Sequence, residues 1–336
     1  MPTAHSPQPI AHGPDPIRIA VSRCLLGDEV RYDAREQRDH FIADTLGSHC
    51  EWLPICPEVE IGLGVPRPKI QLERVSGGGG LRLVMPQDNR DLTAKMLAHA
   101  RRCVRRLRKE RVAGCLLKSR SPSCGLSRVK IFTQGERMRR VGVGFFAKTL
   151  KEMLPELPVE EDDRMHDPAV RDNWIERVFA YRRLQRLFVG ECKTADLAAF
   201  HAAYRLTLMS HSRTAYGELG EILQESPSRS GTCVPAELAV KYRRHFMAAL
   251  CRPATRAKNI AVLRRVLSVL EPSLDADTRR RLGGLIEDYR QGDDGVPLIV
   301  PRTLLAHYAG IFQIEELCRQ VYLRPDSAEL GLRNHA

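Results

Sequence analysis

The chain has 336 residues, of which 43% are hydrophobic and 28% are charged, as is typical of a soluble globular protein. No apolar run approaches the roughly 18–20 residues of a membrane-spanning helix, and the first residues lack the pattern of a secretory signal. The length suits two domains, a cytoplasmic location is expected, and the net charge of +12 favours a polyanionic partner.

The first half of the chain alternates between short apolar runs and a helical pattern. Residues 1–16 are interpreted as a mobile tail, and residues 77–80 as a glycine turn before an edge strand. The predicted strands are 17–22, 51–55, 81–85 and 112–117, and the predicted helix is 91–111. This alternation predicts an α/β domain with a Rossmann-like parallel sheet over residues 17–154.

The second half of the chain has helical periodicity throughout. The acidic, proline-containing stretch 155–163 is interpreted as a linker, after which residues 164–336 are predicted to form an all-helical domain. A long helix is predicted to begin at Thr194 and to continue through Ile222 along one apolar stripe. The other predicted helices are 175–188, 235–250, 256–270, 275–289 and 301–321.

Three of the ten cysteines follow predicted strands directly or within one loop. Cys24 follows the first strand, Cys56 the second, and Cys124 the strand 112–117. Because loops at the carboxyl ends of parallel strands converge on one crevice, we expect these three thiols to form a site. Cys50 precedes its strand and lies at the wrong end. The remaining cysteines are interpreted as structural: Cys103, Cys115, Cys192, Cys233, Cys251 and Cys318.

The chemistry of three thiolates leaves several interpretations open. Soft thiolates bind zinc, copper(I) or iron–sulfur clusters. Zinc sites made of four thiolates usually draw on Cys-x-x-Cys pairs, which this chain does not contain. Three thiolates on a 4Fe–4S cluster leave one iron free to act as a Lewis acid. Three buried cysteines without a metal are the alternative, because free cysteine is often buried.

Two polar residues accompany these cysteines. Glu58 lies two residues after Cys56, and Ser121 lies three residues before Cys124. In the same crevice, a carboxylate could move protons and a hydroxyl could orient a base or water. A serine in a loop is also a common turn former. Asp33 is interpreted as either a turn residue or a second acid.

Separated motifs in the first half of the chain resemble the thiouracil desulfurase (TudS) family over roughly residues 17–155. The motifs occur in the order Val21-Ser-Arg-Cys-Leu-Leu-Gly27, Val30-Arg-Tyr-Asp33, Cys56-Pro-Glu58, Pro66-Arg67 and Ser121-Pro-Ser-Cys-Gly125. Ile61-Gly62 stands where the family pattern leads us to expect Gly-Gly.

This resemblance implies a cofactor and a reaction. The cofactor is a 4Fe–4S cluster held by Cys24, Cys56 and Cys124, whose open iron binds the substrate sulfur. The reaction is hydrolysis of C=S to C=O without net redox change. The resemblance also implies acid/base roles for Glu58 and Ser121, with Ser123 as the alternative serine.

The second half resembles a helical domain that is often fused behind the desulfurase domain. The residues concerned are Phe200-His201, Arg205, Leu208-Met-Ser-His211 and Tyr216-x-x-Leu-Gly220. Arg205 stands where that family usually has lysine. The fused architecture is similar to that of the RudS desulfidases, which remove sulfur from 4-thiouridine in tRNA.

Basic residues in both halves are candidates for RNA contacts, because Lys and Arg supply affinity for phosphate that does not depend on sequence. Arg101 and Arg105 belong to a basic run on the predicted helix 91–111, although such runs are usually solvated surface. In the second half the candidates are Arg182, Arg183, Arg186, His201 and Arg205.

The sequence therefore predicts a 4Fe–4S-dependent desulfidase that converts 4-thiouridine in tRNA to uridine and releases sulfide. One alternative is a desulfidase of free thiouracil or thiolated nucleotides. The other is an RNA-binding or sensor protein that carries a cluster without catalysis, and the presence of both Glu58 and Ser121 argues against it.

Overall fold

A computed structural model of the chain describes residues 16–75, 80–133, 138–225, 232–292 and 295–334. Within these ranges the chain folds into two compact units, Pro16–Arg182 and a second unit that begins at Arg183. The predicted tail lies outside the described residues except for Pro16, and so does the predicted glycine turn except for Gly80.

The first unit is an α/β domain, as predicted. Its elements in chain order are β1 (Ile17–Ser22), β2 (Cys50–Ile55), α1 (Pro57–Glu60), β3 (Gln71–Arg74), β4 (Leu81–Met85), β5 (Arg90–Asp91), α2 (Thr93–Lys109), β6 (Gly114–Leu117), β7 (Val129–Phe132), β8 (Arg139–Gly142), α3 (Phe145–Met153), β9 (Val159–Glu161) and α4 (Pro168–Leu187). The last residues of α4, from Arg183 onward, belong to the second unit.

Sheet A has the order β2-β1-β6-β9, and each pair of neighbouring strands in it is parallel. Every residue of β6 is buried, as expected for a parallel strand that is covered on both faces. On one face α4 approaches β6 so closely that a Cβ at Gly114 would meet the side chains of Trp174 and Val178. The parallel sheet predicted from the apolar runs is confirmed.

Sheet B, with the order β5-β4-β3-β7-β8, was largely missed by the sequence prediction. The strand predicted over 81–85 is β4, but it pairs on both sides, with β3 and β5, and therefore is not the edge strand expected from the sequence. The strands β3, β7 and β8 carry charged residues and have four residues each, which makes their apolar pattern too short to recognise.

The acidic stretch 155–163 is not a linker, which corrects the predicted domain boundary. It contains β9, which pairs in parallel with β6, so the stretch is part of sheet A. The side chain of Glu161 is fully buried and Asp162 is nearly so. The sequence pattern does not reveal this burial, because the partners of both carboxylates lie more than 30 residues away in the sequence.

The second unit is helical, as predicted. After α4 it contains α5 (Thr194–Ala203), α6 (Arg205–His211), α7 (Arg213–Gln224), α8 (Ala236–Leu250), α9 (Arg256–Leu270), α10 (Ala276–Arg290), α11 (Ile299–Ile311), α12 (Glu315–Cys318) and α13 (Ser327–Asn334). Its core includes Leu263 and Leu270 of α9 and Leu305 of α11, which are completely buried. None of the helices in the described ranges is long and apolar enough to cross a bilayer.

Two predicted helices of this unit are interrupted in the structure. The long helix from Thr194 is divided into α5, α6 and α7. The first break lies at Tyr204, whose backbone is not helical. The second lies at Ser212, which has an extended backbone and whose hydroxyl accepts a hydrogen bond from the amide of Ala215 and so starts α7. The helix predicted over 301–321 ends at Ile311, shortly before Gln313 adopts a positive φ of 51°. In both cases the apolar residues keep their helical spacing across the break, so the sequence pattern does not reveal where the helix ends.

Candidate functional site

A cavity of about 840 Å³ opens where β1, β2 and β6 end. Cys24 lies in the turn after β1, Cys56 lies between β2 and α1, and Cys124 lies in the loop after β6. All three cysteines line the cavity, together with Glu58 and Ser121. The parallel topology therefore brings together residues from three segments that are far apart in the sequence.

The thiols in this cavity are poorly hydrated. Cys24 and Cys124 are buried, and Cys56 is half-buried. Burial, with the nearby Cys56 thiol as a second cause, raises the pKa of Cys24 to about 12. Burial also raises the pKa of Cys56 and, more strongly, that of Cys124. Without a bound cation these groups are neutral thiols, and binding of a metal must displace their protons.

The donor atoms in the cavity bear on which metal could bind. Soft thiolates prefer zinc, copper(I) or iron–sulfur clusters. Structural zinc sites use four ligands from cysteine and histidine, whereas the described residues that line this cavity include three cysteines and no histidine. Three thiolates on a 4Fe–4S cluster leave one iron without a protein ligand, so this donor set fits a cluster better than structural zinc.

The loop that carries Cys124 is fixed by the N-terminus of α3. The first two amides of that helix, Phe145 and Phe146, donate to the carbonyl oxygens of Pro122 and Ser123 at 3.2 and 3.0 Å. Amides in the first turn of a helix have no partner within the helix, and here the loop satisfies them. The helix and the loop thereby hold each other in place.

The acidic stretch fixes the same loop from its other end. The Glu161 carboxylate accepts hydrogen bonds from the amides of Leu126 and Ser127 at 2.8 and 3.3 Å. Asp162 accepts a hydrogen bond from the Ser119 amide at 2.7 Å and forms an ion pair with Lys118. The carboxylates that suggested a linker thus position the loop that carries Cys124.

Gly144, immediately before α3, has no room for a side chain. A Cβ there would overlap the carbonyl of Ser123 and the amide of Cys124. We expect Gly144→Ala to displace the Cys124 loop, to destabilise the fold by about 1–3 kcal/mol and to lower the iron bound per chain. Thermal unfolding and iron content measure these effects.

Gly217→Ala is the matched control for this prediction. Gly217 lies within α7, where an added Cβ meets nothing within 4 Å. This change should stabilise its helix by up to about 1 kcal/mol. A Gly144→Ala protein with unchanged stability and iron content would show that the close approach of the loop is unimportant.

The Glu58 carboxylate is held on both of its oxygen atoms. Oε2 accepts two hydrogen bonds from Arg67, from Nε at 3.1 Å and from Nη2 at 2.7 Å. Oε1 accepts one from the Ser123 hydroxyl at 3.0 Å. The Arg67 side chain is only 3% exposed and also donates to the carbonyls of Val30 and Gly64. The Pro66-Arg67 motif is visible in the sequence, but its pattern does not indicate this role for Arg67.

The two candidate serines have different partners. The Ser121 hydroxyl accepts hydrogen bonds from the amides of Ser123 and Cys124 at 3.2 and 3.1 Å, and Ser121 lines the cavity. Ser123 is completely buried and contacts Glu58. Ser121 therefore shapes the cysteine loop, whereas Ser123 orients the carboxylate. Asp33 accepts a hydrogen bond from the Arg35 amide, which is the contact of a turn residue.

A second group of ligand-type side chains lies behind Cys56. Glu60 Oε1 accepts a hydrogen bond from the Cys56 amide at 2.8 Å, and Glu60 Oε2 lies 3.6 Å from His99 Nε2. These two residues and Cys103 have ligand atoms within 4.8 Å of one another. The Arg106 guanidinium lies 3.8 Å from Glu60 and donates to Cys103. The Arg106 guanidinium already supplies positive charge beside Glu60. We therefore interpret Glu60, His99 and Cys103 as structural support for the turn at Cys56.

The cysteines interpreted as structural fall into two groups. Cys103, Cys115 and Cys192 are buried. Cys318 is half-buried, but Cys233 and Cys251 are exposed, so these last two residues do not contribute to a core. Cys50 donates from its thiol to the Leu46 carbonyl and does not line the cavity.

The basic residues proposed for RNA contacts differ in their exposure. Arg101 and Arg105 are exposed on α2. Arg182 and Arg186 are half-buried. The Arg183 side chain is only 9% exposed, forms an ion pair with Glu329 at 3.0 Å and donates to the Tyr204 hydroxyl. Arg183 is therefore part of the core of the second unit, which corrects its assignment as a surface contact.

His201 is likewise buried, contrary to the sequence interpretation. Its ring stacks on that of Tyr216 with centroids 4.5 Å apart, and Nδ1 lies 3.2 Å from the Tyr242 hydroxyl. Burial lowers the pKa of His201 to about 4, so the ring is neutral and does not attract phosphate. Arg205 forms an ion pair with Glu316 and remains partly exposed.

Comparison with known families agrees with this division of the chain. Residues 19–162 match the model of the 2-thiouracil desulfurase family. Residues 205–327 match DUF1722, a family described as being of unknown function. A TudS-type domain is therefore followed by a helical domain, as the sequence motifs predicted, and part of the helical domain matches DUF1722.

Individual relatives have low sequence identity. The uncharacterized protein YbgA of Escherichia coli (strain K12) is 26% identical over 163 residues, which are 48% of this chain and 94% of YbgA. A solved structure, the 4Fe–4S-dependent thiouracil desulfidase TudS, is 29% identical. The alignment covers 45% of this chain and 93% of that structure, with a TM-score of 0.35.

Proposed function

We propose that this chain, a TudS-type desulfurase domain joined to a DUF1722 domain, is an iron–sulfur-dependent desulfidase that converts 4-thiouridine in tRNA to uridine and releases sulfide. The observation that carries the proposal is the cavity in which Cys24, Cys56 and Cys124 meet, inside the region that matches the desulfurase family. The net charge of +12 supports a polyanionic substrate.

The proposed cofactor is a 4Fe–4S cluster held by Cys24, Cys56 and Cys124. The donor set fits this group, because soft thiolates bind iron–sulfur clusters and the described lining of the cavity offers three cysteines and no histidine as a fourth zinc ligand. When bound, the cluster supplies an iron without a protein ligand, a Lewis acid for the sulfur of a thiocarbonyl group.

Glu58 is proposed to move the proton of the water that attacks the ring carbon. Glu58 lines the cavity, and the hydrogen bonds from Arg67 and Ser123 fix the orientation of its carboxylate. A positioned carboxylate contributes about 10²–10⁴-fold to such a step. Ser121 is proposed to orient the base or water, because it lines the same cavity.

Replacing Ser123 and Ser121 separately tests two roles, the positioning of Glu58 and the stability of the loop that carries Cys124. We expect Ser123→Ala to lower kcat by about tenfold at unchanged iron content, because Glu58 loses one of its orienting partners. Ser121→Ala removes the acceptor of two loop amides and should cost about 1–2 kcal/mol of stability, with loss of bound iron. Equal effects of the two changes on both quantities would contradict this division.

The tRNA part of the proposal rests on the exposed basic residues and on the second domain. Arg101 and Arg105 are exposed, and Arg182, Arg186 and Arg205 are partly so. Contacts of this kind would make the affinity for tRNA fall steeply with salt. The rate on a free base, by contrast, should depend little on salt.

The test is an assay of protein purified without oxygen. We expect a brown iron–sulfur chromophore, and release of sulfide from tRNA that carries 4-thiouridine. A colourless, zinc-containing protein would contradict the proposal of an iron–sulfur cluster. Cluster-loaded protein that acts on free thiouracil but not on tRNA would instead establish the second candidate, a desulfidase of free thiolated bases or nucleotides, which the description of the matched family favours.

A further inference from the structure

The solvent-facing side of α2 carries only positive charge. Seven of the 17 residues of α2 are Lys or Arg, and none is Asp or Glu. The buried side of the helix is formed by Met96, His99, Ala100, Cys103, Val104 and Leu107. Four exposed cations lie on the opposite side, namely Arg101, Arg102, Arg105 and Lys109. We call these four residues the α2 ridge, and they lie outside the lining of the cysteine cavity.

The ridge cations lack carboxylate partners. Within the described ranges of the chain none of the four forms an ion pair, whereas Arg106 on the same helix pairs with Glu60 at 3.8 Å. The exposed arginines of α10 show the opposite arrangement. Arg280 and Arg281 both pair with Asp277, one turn earlier, at 3.8 and 2.7 Å. The positive charge of α10 is therefore compensated within the helix, and that of the ridge is not.

The ridge cations also repel one another. Arg101 and Arg105 are four residues apart, as are Arg105 and Lys109, and like charges at this spacing destabilise a helix. The favourable field of the helix C-terminus is confined to the last turn, so it supports Lys109 but not Arg101. A bound polyanion would replace this repulsion by attraction.

The spacing of the ridge fits a nucleic-acid backbone. Arg101, Arg105 and Lys109 follow one another along about 12 Å of the helix axis. Duplex DNA carries one negative charge per about 1.7 Å, so a backbone of this kind offers about seven phosphates over that length. Arginine binds phosphate through two parallel hydrogen bonds. Ala94 and Ala98, which precede Arg101 on the same side, are small and exposed and so leave room for a broad ligand.

The ridge and the cysteine cavity belong to the same compact unit of the chain. Glu60, which accepts a hydrogen bond from the Cys56 amide, also contacts His99 and Arg106 of α2. The helix that carries the ridge is therefore joined directly to the turn that carries a thiol. An RNA held on the ridge would be anchored to the body that contains the site of chemistry.

We infer that the α2 ridge is the main RNA-docking surface of the first unit and holds the phosphate backbone of the substrate RNA without reading its sequence. This inference rests on the proposed function and names the surface that holds a polyanionic substrate outside the cavity. Among the RNA contacts suggested by the sequence in the second unit, Arg183 and Arg205 are already paired with Glu329 and Glu316. The ridge cations have no such partner to give up.

The test compares wild-type protein with the triple variant Arg101→Gln/Arg105→Gln/Lys109→Gln, both as anaerobically purified full chains. The probe is an unmodified tRNA transcript, which contains no 4-thiouridine, so binding is measured without turnover. We expect the dissociation constant to rise by at least about tenfold at about 100 mM salt. The slope of log K against log salt should become shallower by about 2–3, because each lost phosphate contact removes about 0.7–0.9. Fluorescence anisotropy at several salt concentrations measures both quantities.

The matched control removes three exposed arginines from another helix. Arg279, Arg280 and Arg281 lie on α10 and are exposed. The variant Arg279→Gln/Arg280→Gln/Arg281→Gln changes the net charge of the chain by the same amount and should bind the transcript nearly as tightly as wild type. Equal losses of affinity in the two triple variants would show that only the total charge matters and would overturn the inference. Wild-type affinity in the ridge variant would overturn it as well.

Ala98→Glu tests the same surface without removing a cation. A glutamate at this exposed position lies four residues before Arg102, an arrangement that stabilises a helix. We expect this variant to unfold at no lower a temperature than wild type and yet to bind the transcript more weakly, so misfolding would not explain the loss. Tighter or unchanged binding by Ala98→Glu would contradict the proposed docking surface.

A second probe distinguishes RNA from a membrane surface, because an unpaired basic helix face also attracts anionic lipid. The probe is a vesicle of phosphatidylcholine and phosphatidylserine. Binding to vesicles that depends on the ridge, together with tRNA binding that does not, would overturn the inference in favour of a lipid surface. Because the transcript carries no sulfur to remove, a ridge-dependent tRNA affinity would stand even if the chain released no sulfide. Failure of this inference is thereby distinguished from failure of the proposed function.

Discussion

Replacing Cys24, Cys56 or Cys124 by serine is expected to remove nearly all of the iron–sulfur absorption and the bound iron. Each of these thiols comes from a different loop, and a site with three protein ligands has no spare thiolate. Because metal binding adds to the free energy of folding, each variant should also unfold at a lower temperature than the loaded wild type. Absorption spectra and iron analysis of anaerobically purified protein measure the effect.

Exposed cysteines of the same chain provide the control. Cys233→Ser and Cys251→Ser change thiols at the surface and should leave the iron content unchanged. Cys50→Ser should do the same, because its thiol donates to Leu46 and lies outside the cavity. A Cys124→Ser protein with full iron content would show that the assignment of ligands is wrong.

The position of the cysteines could be predicted from sequence because it depends on topology. The buried apolar runs of β1 and β6 indicate parallel strands, and the ends of parallel strands share one edge of the sheet. This places Cys24, Cys56 and Cys124 together without knowledge of any side-chain contact. The same reasoning places Glu58 and Ser121 in the crevice.

Features that depend on long-range pairing of polar groups could not be predicted in this way. Glu161 is buried because amides and a guanidinium some 33–35 residues earlier surround its carboxylate. His201 is buried because Tyr216 and Tyr242 cover its ring. Periodicity identifies apolar residues that seek the core, but it treats every charged or polar residue as exposed. The acidic strand and the core histidine were therefore both placed at the surface.

The role of Ser123 could not be predicted from the sequence for a related reason. Ser121 and Ser123 are two residues apart in one loop, and their composition and spacing do not distinguish them. The distinction arises from the fold of the loop, in which the Ser121 hydroxyl accepts hydrogen bonds from loop amides and the Ser123 hydroxyl donates to Glu58. Only Ser123 is then aligned with Glu58, across 65 residues of sequence.

Replacing Glu58 by glutamine is expected to lower kcat by roughly two to four orders of magnitude while the cluster remains bound. Glutamine keeps the shape of the side chain but does not accept a proton at neutral pH. It also leaves the guanidinium of Arg67, whose side chain is 3% exposed, without its counter-charge, and breaking a buried pair costs about 3–5 kcal/mol. Glu58→Gln should therefore unfold more easily than wild type as well as turn over more slowly.

A second variant separates the chemical effect from this loss of stability. Glu58→Asp keeps the charge that Arg67 requires but shortens the side chain by one methylene, so it should retain most of the stability while kcat still falls. Glu152→Gln, an exposed carboxylate on α3, is the control and should change neither quantity. A cluster-loaded Glu58→Gln protein with the wild-type kcat would show that another group moves the proton.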